Sequence, residues 1–173
     1  VSTLIENGQV AKLVTSHIGL NKQVIGMMND GSLEVSFHPQ GILAEKIRTA
    51  GAGSYGFLSD IGLHSEITNE EQIITWQGLR LKVETSLDAE FALIHAHQAD
   101  LLGNVVYKAT AMNFSPLMAM AADHVIAETA QIVEAGDLPP ECIHTPGAFV
   151  KSIVSIDISD PLYGAIEGRY ERT

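Results

Sequence analysis

Residues 33–53 read LEVSFHPQGILAEKIRTAGAG, and this stretch decides the fold. Its first five residues alternate apolar with polar or small side chains, which predicts a strand with one face against a core. Because Pro39 cannot donate to a strand ladder, the strand ends before it. Apolar side chains then recur at helical spacing at Ile42, Leu43 and Ile47. This second pattern predicts a helix with one apolar face.

The charged side chains of this predicted helix fall on its other face. They are Glu45, Lys46 and Arg48. Because an ionised side chain that leaves water loses its hydration, charged residues are seldom fully buried. All three are therefore placed on the face opposite the apolar side chains.

A polar turn, Gln40-Gly41, joins the strand to the helix. In open α/β sheets, ligands bind in the crevice outside the carboxyl ends of the strands, which is where this turn lies. The Gln40 amide offers two donors and one acceptor, so it is a candidate for contacting a substrate or stabilising an oxyanion. Capping of the following helix is the alternative. Gly41 and the loop Gly51, Ala52 and Gly53 would let a substrate approach the backbone closely.

Strands and helices also alternate upstream of this stretch. Val10, Leu13 and Val14 predict a strand, and Asn21 is placed to cap a helix after it. The resulting β-α-β-α order favours an α/β fold with an open, largely parallel sheet and covering helices. Downstream, apolar residues on both sides of Gln77-Gly78 predict an antiparallel hairpin at an edge of that sheet.

The second half of the chain contains a further strand and helix. Residues 91–97 are a short, mainly apolar run, which predicts a buried central strand. Ser115-Pro116 opens a predicted helix over residues 117–122. Asn113, just before it, is a candidate for a further polar contact with the substrate, and capping of the helix is the alternative.

Length and composition exclude several classes of protein. The chain has 173 residues and 46% hydrophobic residues, so we expect one domain over residues 1–173. Its formal net charge of −11 disfavours nucleic acid and anionic membrane surfaces as partners. The single cysteine, Cys142, cannot form an intrachain disulfide, which suits a cytoplasmic protein. No run of about 18 apolar residues is present, so we expect no membrane span.

Three patterns that could carry chemistry have simpler explanations. His95 and His97 share one face of a strand, but no third ligand has a fitting spacing, so no metal site is predicted. Ser16 and His17 are sequence neighbours, and in an extended segment they point to opposite faces, which disfavours a nucleophile and base pair. The four glycines within residues 51–62 predict a long loop and not a dinucleotide-binding turn.

Five segments carry a resemblance to a known family. They occur in the same order as in the alpha subunit of the family I CoA-transferases, which include acetate, butyrate and 3-oxoacid CoA-transferases. The segments are SHIGLN at 16–21, PQGILAEKIR at 39–48 with GAG at 51–53, GNVVY at 103–107, NFSPLMAMAA at 113–122 and IHTPGAFV at 143–150. The chain is therefore identified as similar to that subunit over most of its length.

The resemblance implies a transferase that works with a partner. The catalytic glutamate of the family lies in a Ser-Glu-Asn-Gly motif of the beta subunit, so a hetero-oligomer is expected. That glutamate attacks an acyl-CoA, forms a glutamyl-CoA thioester, and passes CoA to a short carboxylate such as acetate, butyrate or acetoacetate. CoA is then a substrate, and no external cofactor is expected. On this chain, Gln40 is the candidate for oxyanion contact.

Some positions depart from the family pattern. Glu6-Asn7-Gly8 resembles the catalytic motif, but Ile5 replaces its serine, so Glu6 is expected to have no catalytic role. Met112 stands where the family commonly has arginine, and residues 59–64 also differ, which leaves the acyl group open. The family's N-terminal strand and glycine-rich loop are expected to be lacking. The alternatives are a sugar-phosphate isomerase-like enzyme and a noncatalytic scaffold or regulatory subunit.

Overall fold

The computed structural model describes residues 2–19, 21–65 and 72–157. The chain forms two compact units. The first comprises residues 1–49 and 54–87, and the second comprises residues 50–53 and 88–173. Because each unit has its own set of internal contacts, the two are described in turn. The expected single domain over the whole length stays a prediction.

Three of the four α-helices among the described residues belong to the first unit. Its elements in chain order are α1 (Ser2–Glu6), β1 (Lys12–Thr15), α2 (Lys22–Asp30), β2 (Glu34–Phe37), α3 (Gln40–Gly51), β3 (Gly56–Ser59), β4 (Ile73–Trp76) and β5 (Leu79–Thr85). The last two residues of α3 are counted with the second unit. The strand and the helix predicted within residues 33–53 are thus confirmed as β2 and α3. The predicted Gln40-Gly41 turn is wrong, because both residues belong to the first turn of α3 and the connection from β2 consists of His38 and Pro39.

Local sequence explains how α2 begins and ends. Asn21 is its N-cap, and the Asn21 side-chain oxygen accepts hydrogen bonds from the backbone N–H groups of Gln23 and Val24, each at 3.1 Å. These bonds satisfy donors that have no partner within the first turn. At the other end Gly31 adopts a φ of 79°, a left-handed conformation that glycine takes at little cost. The helix predicted after Asn21 is confirmed.

Two kinds of sheet occur in the first unit. β1 and β2 are parallel, with Lys12 opposite Glu34 and Thr15 opposite Phe37. β3, β5 and β4 form a separate antiparallel sheet in that order, in which β4 and β5 are the predicted hairpin. Its predicted place at an edge of the parallel sheet is wrong, because among the described strands β4 and β5 pair only with each other and with β3. β4 carries Trp76, which is 52% exposed. The predicted long loop over residues 51–62 is wrong in part, because β3 lies within it and pairs with β5.

The second unit is built around a parallel sheet. Its elements are β6 (Ala89–His95), β7 (Gln98–Asp100), β8 (Val105–Val106), α4 (Ser115–Met120), β9 (Ala122–Thr129), β10 (Ile132–Val133) and β11 (Ser152–Ser155). β9 lies between β6 and β11, and all three are parallel. β10, β7 and β8 form a smaller mixed sheet. Cys142 is exposed at the end of a short 3₁₀ helix, Pro140–Cys142.

One face of β6 and β9 supplies the core of the second unit. Ala92, Ile94, Val125 and Ala127 are all buried there, with α4 and Tyr107 among the residues packed around them. The cluster consists largely of small side chains, which lets the strands and α4 approach closely.

The other face of β6 corrects a prediction. Phe91 is 55% exposed and Leu93 is 68% exposed, while Ala92 and Ile94 beside them are buried. Within the described part of the chain β6 pairs with β9 alone and so lies at the outside of its sheet. The prediction of a strand over residues 91–97 is confirmed, but its placement as a buried central strand is wrong. An apolar run by itself does not distinguish a strand covered on both faces from one covered on a single face.

The overall class is the expected one. Parallel strand pairs, covering helices and an antiparallel sheet together make a mixed α/β protein. Within the described residues, no helix is both long enough and apolar enough to cross a bilayer.

Candidate functional site

The carboxyl ends of β1 and β2 lie side by side. The parallel register ends with Thr15 opposite Phe37, and the backbone N–H of His38 donates to the Thr15 carbonyl oxygen at 3.0 Å. This bond extends the ladder one residue beyond the strands. Ser16 therefore follows one strand at the same edge where Gln40 follows the other. Neighbouring parallel strands place such residues together at the edge where α/β proteins bind ligands.

The side chains of Ser16 and Gln40 form a hydrogen bond, and we call them the Ser16–Gln40 pair. The Ser16 hydroxyl donates to Gln40 Oε1 at 2.8 Å. Gln40 is exposed and is the first residue of α3. Among the residues that the structure describes, its side chain bonds no backbone group, so it does not cap the helix. Sequence reasoning weighed Ser16 only against His17 and missed this partner, which lies 24 residues away.

The predicted glycines fall into two groups. Gly41 is exposed beside Gln40, and a Cβ added to it would meet no atom within 4 Å, so the space next to it is open. A Cβ on Gly51 would lie 2.7 Å from the Met120 Cβ, so close packing inside the second unit accounts for this glycine. Gly53 has a φ of 73°, and its N–H donates to Ala50 where α3 ends. The contact of these three glycines and of Ala52 with a substrate stays a prediction.

Asn113 has an unusual backbone in the second unit. Its φ of 39° and ψ of −127° lie in a region that residues other than glycine rarely adopt. Its N–H donates to the Thr110 carbonyl oxygen at 3.2 Å, and the N-cap position of α4 belongs to Phe114. The capping alternative therefore does not account for Asn113. Strained residues of this kind cluster at functional sites, so its predicted substrate contact stays open.

The predicted site residues thus divide between the two units. The first unit holds Gln40 and Gly41, and the second holds Gly51, Ala52, Gly53 and Asn113. The structure brings Gln40 together with Ser16, which was not predicted.

The first unit also contains three charged side chains that are shielded from water. Lys46 on α3 donates to Glu84 on β5 at 3.1 Å, and Lys82 on β5 donates to the same carboxylate at 2.9 Å. Lys46 is 6% exposed and Glu84 is 3% exposed. We call these residues the lysine-glutamate cluster. Lys46 Nζ also lies 3.4 Å from Thr85 Oγ1.

Lys46 was placed on the face opposite the apolar side chains, and yet it is buried. Its burial is possible because Glu84 and the Thr85 hydroxyl replace the lost water contacts. The helical pattern of residues 40–51 contains no sign of this, since the compensating carboxylate comes from a strand 38 residues further along the chain.

Burial and the charges of this cluster together shift two pKa values. Burial by itself would raise the pKa of Glu84, but the hydrogen bonds from Lys82 and Lys46 outweigh burial and hold that pKa below its ordinary value of 4.5. Burial lowers the pKa of His38 below its ordinary 6.5, and the positive charge of Lys46 adds to this effect. His38 is therefore a neutral imidazole at pH 7, two residues before Gln40.

A cavity of about 660 Å³ lies within the first unit. Polar groups along its wall include Ser36, His38, Lys46, Lys82 and Glu84. The lysine-glutamate cluster is thus part of the cavity wall. The cavity was not predicted, because its wall combines β2, α3 and β5, and no single sequence pattern covers these elements.

His95, the last residue of β6, and His97, two residues beyond it, were predicted to bind no metal. His95 Nδ1 lies 3.0 Å from Glu128 Oε1 on the neighbouring strand β9. Across the described residues, no three His, Cys, Asp or Glu side chains gather closely enough to hold a metal ion. The His95 and Glu128 contact is therefore a pair on an exposed surface.

Comparison with known proteins assigns a family. The family model described as Coenzyme A transferase matches residues 1–155. The alpha subunit of a probable coenzyme A transferase from Bacillus subtilis (strain 168) is 46% identical over 89% of this chain and 68% of its own length. The alpha subunit of the acetate CoA-transferase of Escherichia coli (strain K12) is 42% identical over 89% of this chain and 70% of its own length.

A third relative is named for a different substrate. It is one of the subunits of a probable succinyl-CoA:3-ketoacid coenzyme A transferase of Bacillus subtilis (strain 168), and it is 40% identical over 87% of this chain and 63% of its own length. The chain therefore spans about two thirds of the length of these three curated relatives.

Solved structures agree on the fold. Glutaconate coenzyme A-transferase from Acidaminococcus fermentans matches 90% of this chain and 58% of its own with a TM-score of 0.78 at 17% identity. An acyl-CoA transferase from E. coli O157:H7, solved as a thioester complex with CoA, matches 87% of this chain and 35% of its own with a TM-score of 0.75 at 21% identity. The chain belongs to the coenzyme A transferase family.

Proposed function

We propose that this member of the coenzyme A transferase family acts as an alpha subunit that forms one wall of an active site whose nucleophile comes from a beta subunit. The subunit names of its relatives support this role. The proposed reaction moves CoA from an acyl-CoA to a short carboxylate. The relatives include enzymes named for acetate and for 3-ketoacids, so acetate, butyrate and acetoacetate are the carboxylates to test first.

The proposed chemistry is covalent catalysis by a glutamate of the partner, in a Ser-Glu-Asn-Gly motif. The glutamate carboxylate attacks the thioester carbonyl carbon, and the CoA thiolate leaves to give an acyl-glutamyl anhydride. The thiolate then attacks the glutamyl carbonyl carbon and releases the first carboxylate, which leaves a glutamyl-CoA thioester. The acceptor carboxylate reverses these two steps. Division into such steps lowers the barrier of a difficult transfer, and no resident cofactor is required.

Gln40 is the observation that carries this proposal on the present chain. Each attack on a carbonyl develops negative charge on oxygen, and a preoriented N–H donor stabilises that charge strongly. Gln40 is exposed at the ligand-binding edge, and its Oε1 is occupied by the Ser16 hydroxyl. The two N–H groups on Nε2 are thus directed to the other side of the amide. Gln40 also opens a helix of 12 residues, whose N-terminal end favours negative charge.

Two carboxylates of this chain, Glu84 and Glu6, can be compared as possible nucleophiles. Glu84 is buried and bound by two lysines, so attack on a substrate would break both ion pairs. Glu6 ends α1 and is exposed next to the Asn7-Gly8 turn. The expectation that Glu6 has no catalytic role stays a prediction, and it rests on Ile5 in place of the serine of the motif.

The test is a mapping of the covalent intermediate. This chain is purified together with a companion that carries Ser-Glu-Asn-Gly, and each polypeptide is incubated with acetyl-CoA alone and as the complex. Intact-protein mass spectrometry then locates the bound CoA. We expect CoA exchange only in the complex and the CoA adduct only on the companion. Exchange by this chain alone, or an adduct on one of its own carboxylates, would contradict the proposal.

A further inference from the structure

We infer that Ser16 is a positioning residue that fixes the orientation of the Gln40 amide. This inference rests on the proposed function, because it gives the oriented amide a catalytic purpose. Ser16 does not contact the reacting atoms in this scheme. It acts through Gln40, and its contribution is to hold the Nε2 donors of that residue in place.

The geometry of the bond defines the orientation. An amide group is planar, with its oxygen and its NH₂ group on opposite sides of the same carbon. The Ser16 hydroxyl donates to Oε1 at 2.8 Å, a normal distance for such a bond. Rotation of the amide by half a turn would replace the acceptor oxygen with the donor nitrogen. A hydroxyl can also accept a hydrogen bond, but in the structure Ser16 donates to Oε1, and both N–H groups therefore point away from Ser16.

Hydrogen bonds made by its neighbour Thr15 hold Ser16 in its own place. On its N-terminal side, the Thr15 carbonyl accepts the hydrogen bond from the His38 N–H that extends the parallel ladder. On its C-terminal side, Thr15 Oγ1 lies 3.3 Å from the carbonyl oxygen and 3.4 Å from the N–H of His17, which makes a small turn around Ser16. Ser16 is also half-buried, whereas Gln40 is exposed. The position of Ser16 is therefore set by its surroundings, and Ser16 in turn restrains the side chain of Gln40.

The hydrogen bond from Ser16 matters for catalysis because the Gln40 side chain is exposed. An exposed glutamine side chain samples several rotamers and loses this freedom when it must hold one position. A donor that is already oriented avoids this entropy loss when negative charge develops in the transition state. Since a neutral hydrogen bond of this kind contributes modestly, we expect its loss to lower turnover by about three- to tenfold.

The experiment is a double-mutant cycle in the assembled complex. The variants are Ser16→Ala, Ser16→Thr, Gln40→Ala and the double variant Ser16→Ala with Gln40→Ala. We expect Ser16→Ala to lower kcat by about three- to tenfold with KM nearly unchanged, and Ser16→Thr, which keeps the hydroxyl, to restore most of that loss. The double variant should be no slower than Gln40→Ala alone, because Ser16 has no effect without its partner.

A matched control and a second readout make the result decisive. Ser32→Ala removes another serine hydroxyl, one that donates to the Met27 carbonyl oxygen before β2 begins, and should leave kcat unchanged. In ¹H–¹⁵N NMR spectra of the full chain, Ser16→Ala should shift the side-chain NH₂ signals of Gln40, which are assigned by their absence in Gln40→Ala. Ser32→Ala should not shift them.

The possible outcomes separate the positioning role of Ser16 from the proposed function of the chain. If the parent complex exchanges CoA but Ser16→Ala retains full kcat, or if the effects of Ser16→Ala and Gln40→Ala multiply, the positioning role is wrong while the proposed function stands. If the parent complex exchanges no CoA, the proposed function fails and the positioning role fails with it. In that case the NMR shift still reports whether the hydrogen bond exists in solution.

Discussion

The first unit contains two polar groupings with opposite relations to water. The lysine-glutamate cluster joins α3 to β5 with ionised groups that are almost fully buried. The Ser16–Gln40 pair joins the ends of two strands with neutral groups, one of which is exposed. Buried charges must be compensated inside the protein, so they make α3 and β5 depend on each other. An exposed amide with one end anchored keeps its other end available to a ligand.

The comparison predicts that the buried cluster controls stability. Replacement of Glu84 by glutamine would leave Lys46 and Lys82 close together without a counter-charge. We expect the free energy of unfolding to fall by about 3–5 kcal/mol, as when one partner of a buried ion pair is removed. Urea unfolding of the parent and the variant measures this difference.

The matched control for Glu84 is Glu45. Glu45 on α3 pairs with Arg48 at the surface, so Glu45→Gln removes an equivalent charge in an exposed position. We expect the free energy of unfolding to fall by only a small fraction of the fall in Glu84→Gln, because water screens an exposed ion pair. Equal losses for the two variants would show that burial of the cluster does not determine its contribution.

Replacement of Gln40 in the Ser16–Gln40 pair should change catalysis strongly and stability only slightly. Gln40→Ala removes the proposed oxyanion donor, so we expect kcat of the assembled complex to fall by about a hundredfold. Because Gln40 is exposed, the free energy of unfolding should change by no more than about 0.5 kcal/mol. Steady-state kinetics and urea unfolding of the same preparations give both values.

Gln9→Ala provides the comparison for this variant. Gln9 is an exposed glutamine of the same unit whose oxygen accepts a hydrogen bond from the Asn7 side chain. Its replacement should leave turnover unchanged. If Gln40→Ala also retained full turnover, Gln40 would have no part in the mechanism.

The smallest effect concerns pH. The pKa of His38 is lowered in the folded state, so the unfolded chain binds a proton more readily, and folding stability is lost as pH falls below 6.5 toward the folded value. The lowered pKa of Glu84 adds a second loss below its ordinary value of 4.5. Above pH 6.5 both contributions are fully present.

Thermal unfolding between about pH 7.5 and about pH 4 tests this order of events. His38→Gln should flatten the decline that begins near pH 6.5 and leave the decline at lower pH. An unchanged profile in the His38→Gln variant would show that the first decline comes from other groups.

The two groupings were also unequally predictable from sequence. The position of Gln40 at the carboxyl end of a strand follows from a local rule, because Pro39 ends the strand just before it. Such a rule needs only neighbouring residues. Its partner Ser16 and the burial of Lys46 depend on residues 24 and 38 positions away, and a single sequence does not reveal which distant side chains meet.

A similar limit applies to the strands. β1, β2 and the hairpin are predictable because their patterns are local. β3 was not predicted, because its four residues lie in a glycine-rich segment that resembles a loop, although they pair with β5. The outward face of β6 is wrongly predicted as buried, because periodicity does not report what covers a strand. Local signals thus define most elements, and the way the elements combine requires the structure.

The division into two units gives each unit its own optical reporter. The 173 residues include one tryptophan and one cysteine, and Trp76 belongs to the first unit while Cys142 belongs to the second. The exposed thiol accepts a maleimide dye at a single site. Indole emission and dye emission can therefore be followed in one denaturant titration. Superimposed curves would show that the units melt as one cooperative block, and separated curves would rank their stabilities.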